Sequence, residues 1–444
     1  MSPTTARPTV ERDLAIAAAF VIGHAFLGIV MRQFPLLAMV HAFGCLAIGM
    51  YIAARRPLAE IPTVIGYIAT SEVLWRMTRA PIFWEFSKYA IIVIAFIGLL
   101  RIRAERNRGL AIGYFVLLLP SAILTVFALD LSAAREQLSF NLAGPLVLTC
   151  CVLLFSNTAM NASAIRRTLL WQLGPIIGIG ALAYQGIARA ESIQFVMDSN
   201  AVLSGGYGPN QVSATLGLGV LGCVLMLMTR KEPTHVRISL MVVVLAIGAQ
   251  AALTFSRGGL AMAAAGTVAA AAYLLRERRA RVTLLVLSGL IYVAATLYVV
   301  PYLETFTEGK LGERFADLDP TGRTELLGFD LRIFADNPVL GVGPGVATHL
   351  RAEMGHFGAA HTEYTRMLAE HGILGAMSIV LLVMLFLRTI LDARTLIARA
   401  LAMALIVWTV LFLGVNGMRL ALPAYTLGLA CSIAYASRLR GSQL

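Results

Sequence analysis

The chain has 444 residues, of which 58% are hydrophobic and only 14% are charged. Its mean hydropathy of +0.78 excludes an ordinary soluble domain. The formal net charge is +12. Because many of the basic residues lie in short connections between apolar runs, this charge indicates membrane topology, and no nucleic-acid partner is expected.

Apolar runs of about 17–22 residues recur along the chain, which is the length that a helix needs to cross about 30 Å of hydrocarbon. In chain order they lie near residues 14–30, 34–53, 61–77, 87–100, 109–129, 141–156, 168–188, 209–229, 238–255, 258–275, 282–300, 372–388, 400–416 and 420–437. Several of these fourteen segments are short or carry charges, such as Glu72 and Arg76 in the third. The pattern predicts an all-α, polytopic transmembrane helical bundle of 12–14 spans, with no linker or convincing internal repeat.

The distribution of arginine predicts how the chain is oriented in the membrane. If both termini are cytoplasmic, 22 of the 36 basic residues fall in the connections on that side, as the positive-inside rule requires. The first apolar run has no apparent cleavage site and is expected to remain as a start-transfer helix. The same orientation predicts that residues 302–371 lie outside the cytoplasm.

Residues 302–371 form the one long polar excursion of the chain and contain 11 of its 24 acidic residues and four of its seven histidines. A membrane protein that concentrates these side chains in one loop is expected to carry out chemistry at the membrane surface. We therefore divide the chain into transmembrane helices over 1–301, a catalytic loop over 302–371 and C-terminal transmembrane helices over 372–444.

Within this loop, the spacing of apolar residues predicts one helix over 323–337, which ends before Pro338 because the residue before a proline resists the α conformation. A second helix is predicted over 359–375 and runs into the next span. Between them, the sequence GVGPG at 341–345 predicts a glycine-rich turn whose backbone amides are able to face an anion.

His361 is the histidine that we single out, because it lies at a predicted helix start beside Glu363 and Tyr364. A histidine suits general-base chemistry near neutral pH, and a neighbouring carboxylate orients the ring or stabilises its charge. His361 is therefore a candidate general base, and its assignment as catalytic or acceptor-binding rests mainly on the resemblance described below. Whether Glu363 assists it or only caps the helix stays open.

The loop also allows other chemistry. Asp317 and Asp319 form a D-x-D, which holds a metal-bound nucleotide in some glycosyltransferases. A zinc site is a further alternative, and its ligands would come from His349, Glu353, His356, His361 and Glu363. The D-x-D is three letters that occur by chance, and the second group lacks zinc-site spacing, so we expect no metal and no cofactor.

A second candidate group consists of basic residues at the outer ends of spans. Arg257 lies in the tight turn TFSRGGLAM, which barely separates two spans. An arginine at that depth in the membrane is costly unless an anion or a polar cavity receives it. Arg189 directly precedes a polar stretch. Guanidinium groups pair with phosphate oxygens, so these two predict binding of a lipid diphosphate, with snorkelling to the headgroups as the alternative. Arg76, Arg79 and Lys88 are interleaved with aromatic residues, a pattern that is typical of an interfacial belt. The alternative interpretation is that these three residues make weak contacts with an anionic lipid acceptor.

Four features together resemble the bacterial O-antigen ligase and polymerase superfamily of polytopic membrane glycosyltransferases. They are the turn Ser256-Arg257-Gly258-Gly259, GR at 322–323 with its following helix, NPVLGVGPG at 337–345 and HTEYTRMLAEHGILG at 361–375. Their order fits as well, with an arginine turn before one large loop late in the chain. Thr362 is a departure, since family members commonly have asparagine or serine after the histidine.

The resemblance implies a glycosyltransferase-C-like fold in the bacterial inner membrane, with both termini cytoplasmic and the active site in one large, helical periplasmic loop. It implies undecaprenyl-diphosphate-linked polysaccharide as the donor and lipid A-core oligosaccharide as the acceptor, among the surrounding membrane lipids. Transfer would be metal-independent and would invert the anomeric centre in a single displacement.

By position, the resemblance implies that Arg189 and Arg257 hold the diphosphate, with Arg323 as a third contact. His361 would accept the proton of the attacking sugar hydroxyl or position that hydroxyl. The supporting residues would be Ser256, Glu363 and Tyr364.

Other functions remain as alternatives to an O-antigen ligase. An O-antigen polymerase uses the same donor but often has two sizeable periplasmic loops, whereas this chain has one. A protein O-oligosaccharyltransferase usually has a further periplasmic extension. A transporter would be expected to show internal repeats and midplane charges, and a scaffold would not need outward arginines beside a histidine-containing loop.

Overall fold

The computed structural model describes residues 7–195, 198–229, 232–276, 278–317, 323–353 and 362–440, and the longer regular elements in these ranges are α-helices. The first ten are α1 (Arg7–Gln33), α2 (Pro35–Arg55), α3 (Ile61–Met77), α4 (Phe86–Leu99), α5 (Arg108–Val116), α6 (Ala122–Ala128), α7 (Leu131–Phe155), α8 (Ala162–Trp171), α9 (Leu173–Arg189) and α10 (Pro209–Thr229). The others are α11 (Thr234–Leu253), α12 (Gly258–Leu274), α13 (Arg278–Ala294), α14 (Val300–Phe306), α15 (Lys310–Ala316), α16 (Arg323–Asp336), α17 (Val346–Glu353), α18 (Glu363–Asp392), α19 (Leu396–Asn416) and α20 (Leu422–Arg440).

Eight helices in the described residues are long and apolar enough to cross a membrane, judged by length and composition. Two shorter apolar helices, Phe86–Leu99 and Gly258–Leu274, accompany them. The all-α, polytopic class predicted from the sequence is therefore confirmed. The eight are fewer than the 12–14 predicted spans, because some predicted segments form shorter or interrupted helices, such as the 17-residue α3.

The predicted span 109–129 is wrong as a continuous helix. Helix α5 ends at Val116 and α6 begins at Ala122, with Pro120 between them. A proline has no N–H to continue the ladder, and this one falls where the chain turns. Asp130 then caps α7, since its Oδ1 accepts from the backbone N–H groups of Ser132 and Ala133 at 3.0 and 3.1 Å. Helix α7 therefore begins ten residues before the predicted 141–156.

The described chain divides into two compact units. The first comprises Met1–Gly44, Thr70–Ile82 and Ile165–Asp317, and the second comprises Cys45–Ala69, Phe83–Ala164 and Leu318–Leu444. The polar segment 302–371 contributes α14 and α15 to the first unit and α16, α17 and the start of α18 to the second. The three-part division made from the sequence stays a prediction.

In the first unit, α10 is the central helix and packs against α9, α11 and α12. The closest approach is between α10 and α12. A Cβ at Gly259 would overlap the carbonyl oxygen of Ser213, and a Cβ at Gly217 would overlap that of Gly259. Small residues let two helix backbones approach in this way when both lie in a membrane. Close packing against α10 thus explains the second glycine of the SRGG turn, Gly259.

In the second unit, α7 packs against α4 and α20, and α18 packs against α5, α16 and α19. Helix α18 is broken near its start, where Gly372 has φ +60° and ψ −139°. A residue with a side chain rarely adopts this conformation. The break separates a short segment, 363–371, from the long apolar remainder of α18.

Candidate functional site

The turn before α12 is held in place by the first unit. Phe255 has φ +56°, which is unusual for a residue with a side chain, and its ring is fully buried. The carbonyl of Phe255 accepts a hydrogen bond from Arg314 Nε at 3.4 Å, and the carbonyl of Thr254 accepts one from the N–H of Asn200 at 2.9 Å. A strained residue that is fixed on several sides is characteristic of a functional turn.

Ser256 ties this turn to α10. Its Oγ donates to Asn210 Oδ1 at 2.7 Å, and its carbonyl accepts from Ser213 Oγ at 2.8 Å. Ser256 is buried, and Arg257, the next residue, stands half-buried at the N-cap position of α12. Ser256 therefore tethers the turn just before Arg257 to α10, and its supporting role in a reaction stays a prediction.

Arg189 contributes to a cavity of about 260 Å³ in the same unit, whose wall also includes Arg32, Gly205 and Gly206. Arg79 and Arg189 lie close enough to Arg32 for their charges to repel its guanidinium group. Among the described residues, no carboxylate forms an ion pair with any of these three arginines. Three gathered positive charges without a protein counter-ion favour an anionic ligand.

We define the arginine cluster as Arg32, Arg79 and Arg189, and the chain segment before Arg257 shares a hydrophobic cluster with the segment before Arg189. Ile187 and Phe255 pack in one hydrophobic cluster, and each lies two residues before its arginine. The chain segments that precede Arg189 and Arg257 are therefore held in the same hydrophobic cluster. Arg32 was not singled out from the sequence, so its part in the cluster was missed.

Two of the three basic residues predicted to contact an acceptor have internal partners. Arg76 Nη2 lies 2.6 Å from Glu72 Oε1, and both side chains are buried. Lys88, which belongs to the second unit, is buried with Glu85 at 2.5 Å and stands 5.5 Å from the centre of the Phe140 ring. These contacts neutralise Arg76 and Lys88 inside the protein, whereas Arg79 joins the arginine cluster.

The second unit contains the described part of the histidine motif. Helix α18 begins at Glu363, four residues later than predicted, and Thr362 caps it by accepting from the N–H of Tyr364 at 3.2 Å. His361 itself lies outside the described residues. Arg323 begins α16, but its side chain also lies outside the described part of the chain.

Arg366 is the centre of a buried ionic network that the sequence interpretation missed. Its guanidinium group contacts both carboxylate oxygens of Glu363, with Nε at 3.1 Å from Oε2. Nη1 donates to Glu370 Oε2 at 2.5 Å and to Asn141 Oδ1 at 3.1 Å. Glu363 Oε2 also accepts from the N–H of Met418 at 3.0 Å. Glu363 is therefore occupied by structural contacts, and the i, i+3, i+4 spacing was the available signal.

The two motifs NPVLGVGPG and HTEYTRMLAEHGILG form one structural piece. The N–H groups of Val342 and Gly343 donate to the carbonyls of Ala369 and Glu370, both at 3.0 Å. After the break in α18, the N–H of Ile373 donates to the carbonyl of Pro338 at 2.8 Å. The glycine turn thus satisfies backbone groups that the broken helix leaves open.

The anion that faces the glycine turn belongs to the protein. Glu370 Oε1 accepts from the N–H of Gly345 at 2.9 Å, and the Glu370 side chain is fully buried. An anion was expected at this turn from the sequence, and an internal carboxylate fills that role. The turn therefore fixes α18, and the N–H of Gly345 is occupied by this internal carboxylate.

A second buried ion pair fixes α16 and α17 on α18. Arg351 contacts Asp330 Oδ1 directly, and Thr365 Oγ1 donates to Asp330 Oδ2 at 2.8 Å. Burial raises the pKa of Asp330, while the charge of Arg351 and the hydrogen bonds oppose that rise. Tyr364, a predicted supporting residue, donates its hydroxyl to the carbonyl of Val410 at 3.0 Å and so joins α18 to α19.

The described residues contain no group of three or more His, Cys, Asp or Glu side chains placed to hold a metal. His356 and His361 of the zinc alternative lie outside the described chain, as does Asp319 of the D-x-D. Asp317 is described, and it lies 3.6 Å from Arg314 Nη1.

The helices and the network of polar side chains at their ends define a multi-pass, all-helical membrane protein. Within it, residues 242–380 match the family model of the O-antigen ligase. This range includes the Arg257 turn, the glycine turn and the first part of α18. The resemblance to the O-antigen ligase superfamily, whose members are glycosyltransferase-like enzymes, is thereby confirmed for this range. No curated protein matches the chain.

Proposed function

We propose that the protein is an O-antigen ligase, which transfers O-antigen polysaccharide from undecaprenyl diphosphate to a sugar hydroxyl of lipid A-core. The observation that carries this proposal is the family match over 242–380, which spans both the arginine turn and the motif pair of the catalytic loop. The proposed location is the periplasmic face of the bacterial inner membrane, with both termini in the cytoplasm.

The donor diphosphate would be bound by Arg189, Arg257 and Arg323, as the resemblance implies. The arginine cluster adds Arg32 and Arg79 as candidates, because its charges have no described carboxylate partner. Positive charges fixed before the reaction stabilise the negative charge that develops on a departing diphosphate. Such stabilisation is the main contribution that we assign to the first unit.

The reaction would be a single displacement. The acceptor hydroxyl oxygen forms a bond to the anomeric carbon as the bond from that carbon to the diphosphate oxygen breaks. His361 takes the hydroxyl proton or positions the hydroxyl, and the lipid diphosphate leaves with the bonding electron pair. Because the leaving group is already good, neither a metal nor a nucleotide is needed.

The experiment is deletion of the gene, followed by a gel of the lipopolysaccharide and analysis of undecaprenyl-linked glycans. Loss of the O-antigen ladder with long polymer left on the lipid carrier is the expected result. Core capped by one repeat unit would instead identify a polymerase. An unchanged ladder and carrier pool would contradict both and would favour protein glycosylation or transport.

Complementation with variants then tests the assigned residues. Arg257→Ala, Arg189→Ala and His361→Ala are each expected to abolish transfer, and Arg32→Ala to lower it at least about tenfold, the loss expected when about 1.4 kcal/mol of transition-state stabilisation is removed. Arg103→Ala is the matched control, because Arg103 is exposed and lies in a predicted cytoplasmic connection. A normal ladder from a folded, membrane-inserted variant would remove that residue from the mechanism.

A further inference from the structure

Two cavities in the second unit share residues of α7, and the smaller also includes the start of α18 in its wall. The larger has a volume of about 1230 Å³ and is formed by residues around the starts of α4 and α7. The smaller has a volume of about 230 Å³ and is formed by α7, Thr348, the start of α18 and residues 417–419. Glu136 and Phe140, one helical turn apart on α7, belong to the walls of both. We call the two together the α7 cleft.

The larger part of the α7 cleft combines exposed aromatic rings with polar side chains. Phe83, Trp84 and Tyr89 are each more than a third exposed, although each is large and apolar. Tyr89 Oη is hydrogen-bonded to Ser139 Oγ at 2.9 Å, and Arg135 also belongs to the wall. Aromatic faces pack against the C–H faces of sugar rings, and hydroxyl and charged groups bind sugar hydroxyls.

A lipid chain would be expected in a different kind of cavity. The first unit has one, with a volume of about 480 Å³ and a wall that is almost entirely aliphatic and aromatic, including Val242, Leu245 and Phe306. The α7 cleft instead carries carboxylate, guanidinium and hydroxyl groups along its wall. This difference favours a glycan over an acyl or prenyl chain.

The smaller part of the cleft is suited to one neutral sugar ring. Its volume is below the range of about 300–1,000 Å³ that is usual for drug-sized ligands. Arg366 in its wall is already paired with two carboxylates, Glu363 and Glu370, so it does not require an anionic ligand. Asn141 Nδ2 donates to Gln137 Oε1 at 3.3 Å, and among the described residues no group accepts from Gln137 Nε2. That amide group is therefore available to a sugar hydroxyl.

We propose that the α7 cleft binds the acceptor oligosaccharide, with one sugar ring in the smaller cavity and further units along the aromatic part. The chain position supports the acceptor over the donor. The smaller cavity includes Glu363, two residues after His361, to which the proposed mechanism gives the acceptor hydroxyl, whereas the arginine cluster for the diphosphate belongs to the other unit. The assignment of the glycan as acceptor rests on the proposed function.

The test is a binding measurement with the full-length protein in detergent, by saturation-transfer NMR. The probes are core oligosaccharide freed from lipid A by mild acid and, separately, O-polysaccharide freed from its carrier. We expect the core probe to bind, and Trp84→Ala and Gln137→Leu each to weaken its binding at least tenfold. Trp171→Ala and Gln33→Leu are the matched controls, since both residues are exposed and lie outside the cleft, and they are expected to bind as the wild type does.

Three results would overturn the assignment: no binding of the core probe, equal binding by all variants, or displacement of the probe by lipid A without core. Variant-sensitive binding of the O-polysaccharide alone would overturn the acceptor assignment. The proposed function is tested separately by transfer. Wild-type transfer that persists in both cleft variants would refute the cleft and leave the ligase intact. Core binding that is weakened in the two cleft variants, by a protein that transfers no glycan, would support the cleft and refute the ligase.

Discussion

The network around Arg366 makes a quantitative prediction about stability. The Arg366 side chain is 10% exposed, and its two carboxylate partners, Glu363 and Glu370, are 1% and 0% exposed. Replacement by methionine keeps an unbranched apolar stem but removes the guanidinium group and leaves two buried carboxylates without their cation. Removing one partner of a buried ion pair costs about 3–5 kcal/mol, mostly because an uncompensated charge remains. We therefore expect Arg366→Met to be strongly destabilising.

Glu370→Gln is the informative comparison, because it removes a charge and leaves Arg366 paired with Glu363 alone. The glutamine oxygen is still able to accept a hydrogen bond, so the expected cost is about 1–2 kcal/mol. Combining Arg366→Met with Glu363→Gln and Glu370→Gln removes all three charges. That triple variant is expected to be more stable than Arg366→Met, since residues in one network are not additive.

The protein's own cysteines supply the assay for this prediction. All five are free, and four of them are buried, so a maleimide dye that fluoresces on reaction reports unfolding in detergent. We expect the highest Tm for the wild type, a lower Tm for Glu370→Gln and the lowest for Arg366→Met. Equal Tm values for Arg366→Met and wild type would refute the network, and so would a triple variant that is less stable than Arg366→Met.

Two further predictions concern the glycines that hold the motifs together. Gly372→Ala places a side chain at φ +60° and 2.6 Å from the carbonyl oxygen of Pro338, so it should destabilise the protein by about 1–3 kcal/mol. The control is Gly328→Ala, in open space on α16, which should be neutral or stabilising by up to about 1 kcal/mol. A lower Tm for Gly328→Ala than for Gly372→Ala would contradict this. Gly259→Ala should destabilise the protein by about 1–3 kcal/mol and reduce transfer, because the added methyl group forces α12 away from Ser213 and moves the arginine turn. Unchanged Tm and transfer would show that the close packing is dispensable.

The sequence predicts helix positions well where hydrophobic length alone decides them. Helices α2, α3 and α10 begin and end within two residues of their predicted bounds. The interruption at Pro120 was missed because the flanking segments are equally apolar, although the proline itself is a signal for a break. Helix starts that depend on a cap, such as Asp130 before α7, extend a helix beyond the apolar run that marks it.

The site is less predictable because its polar contacts join residues that are distant in the sequence. The turn at Gly345 suggested an anion, but its partner Glu370 lies 25 residues away and only the fold brings the two together. Arg32 and Arg189 lie on different helices that meet through packing. The Arg366 network differs, because the helical spacing of Glu363, Arg366 and Glu370 is visible in the sequence and only their burial depends on the fold.

If the proposed function is right, the purified protein alone moves a glycan from a lipid diphosphate to an acceptor sugar. The decisive experiment incubates the full-length protein with undecaprenyl-diphosphate-linked O-antigen and lipid A-core in the presence of EDTA. We expect equal amounts of glycosylated lipid A-core and released undecaprenyl diphosphate, with an inverted anomeric centre, and no product from Arg257→Ala. Absence of product from the wild-type protein, or full activity of Arg257→Ala, would contradict the proposed function.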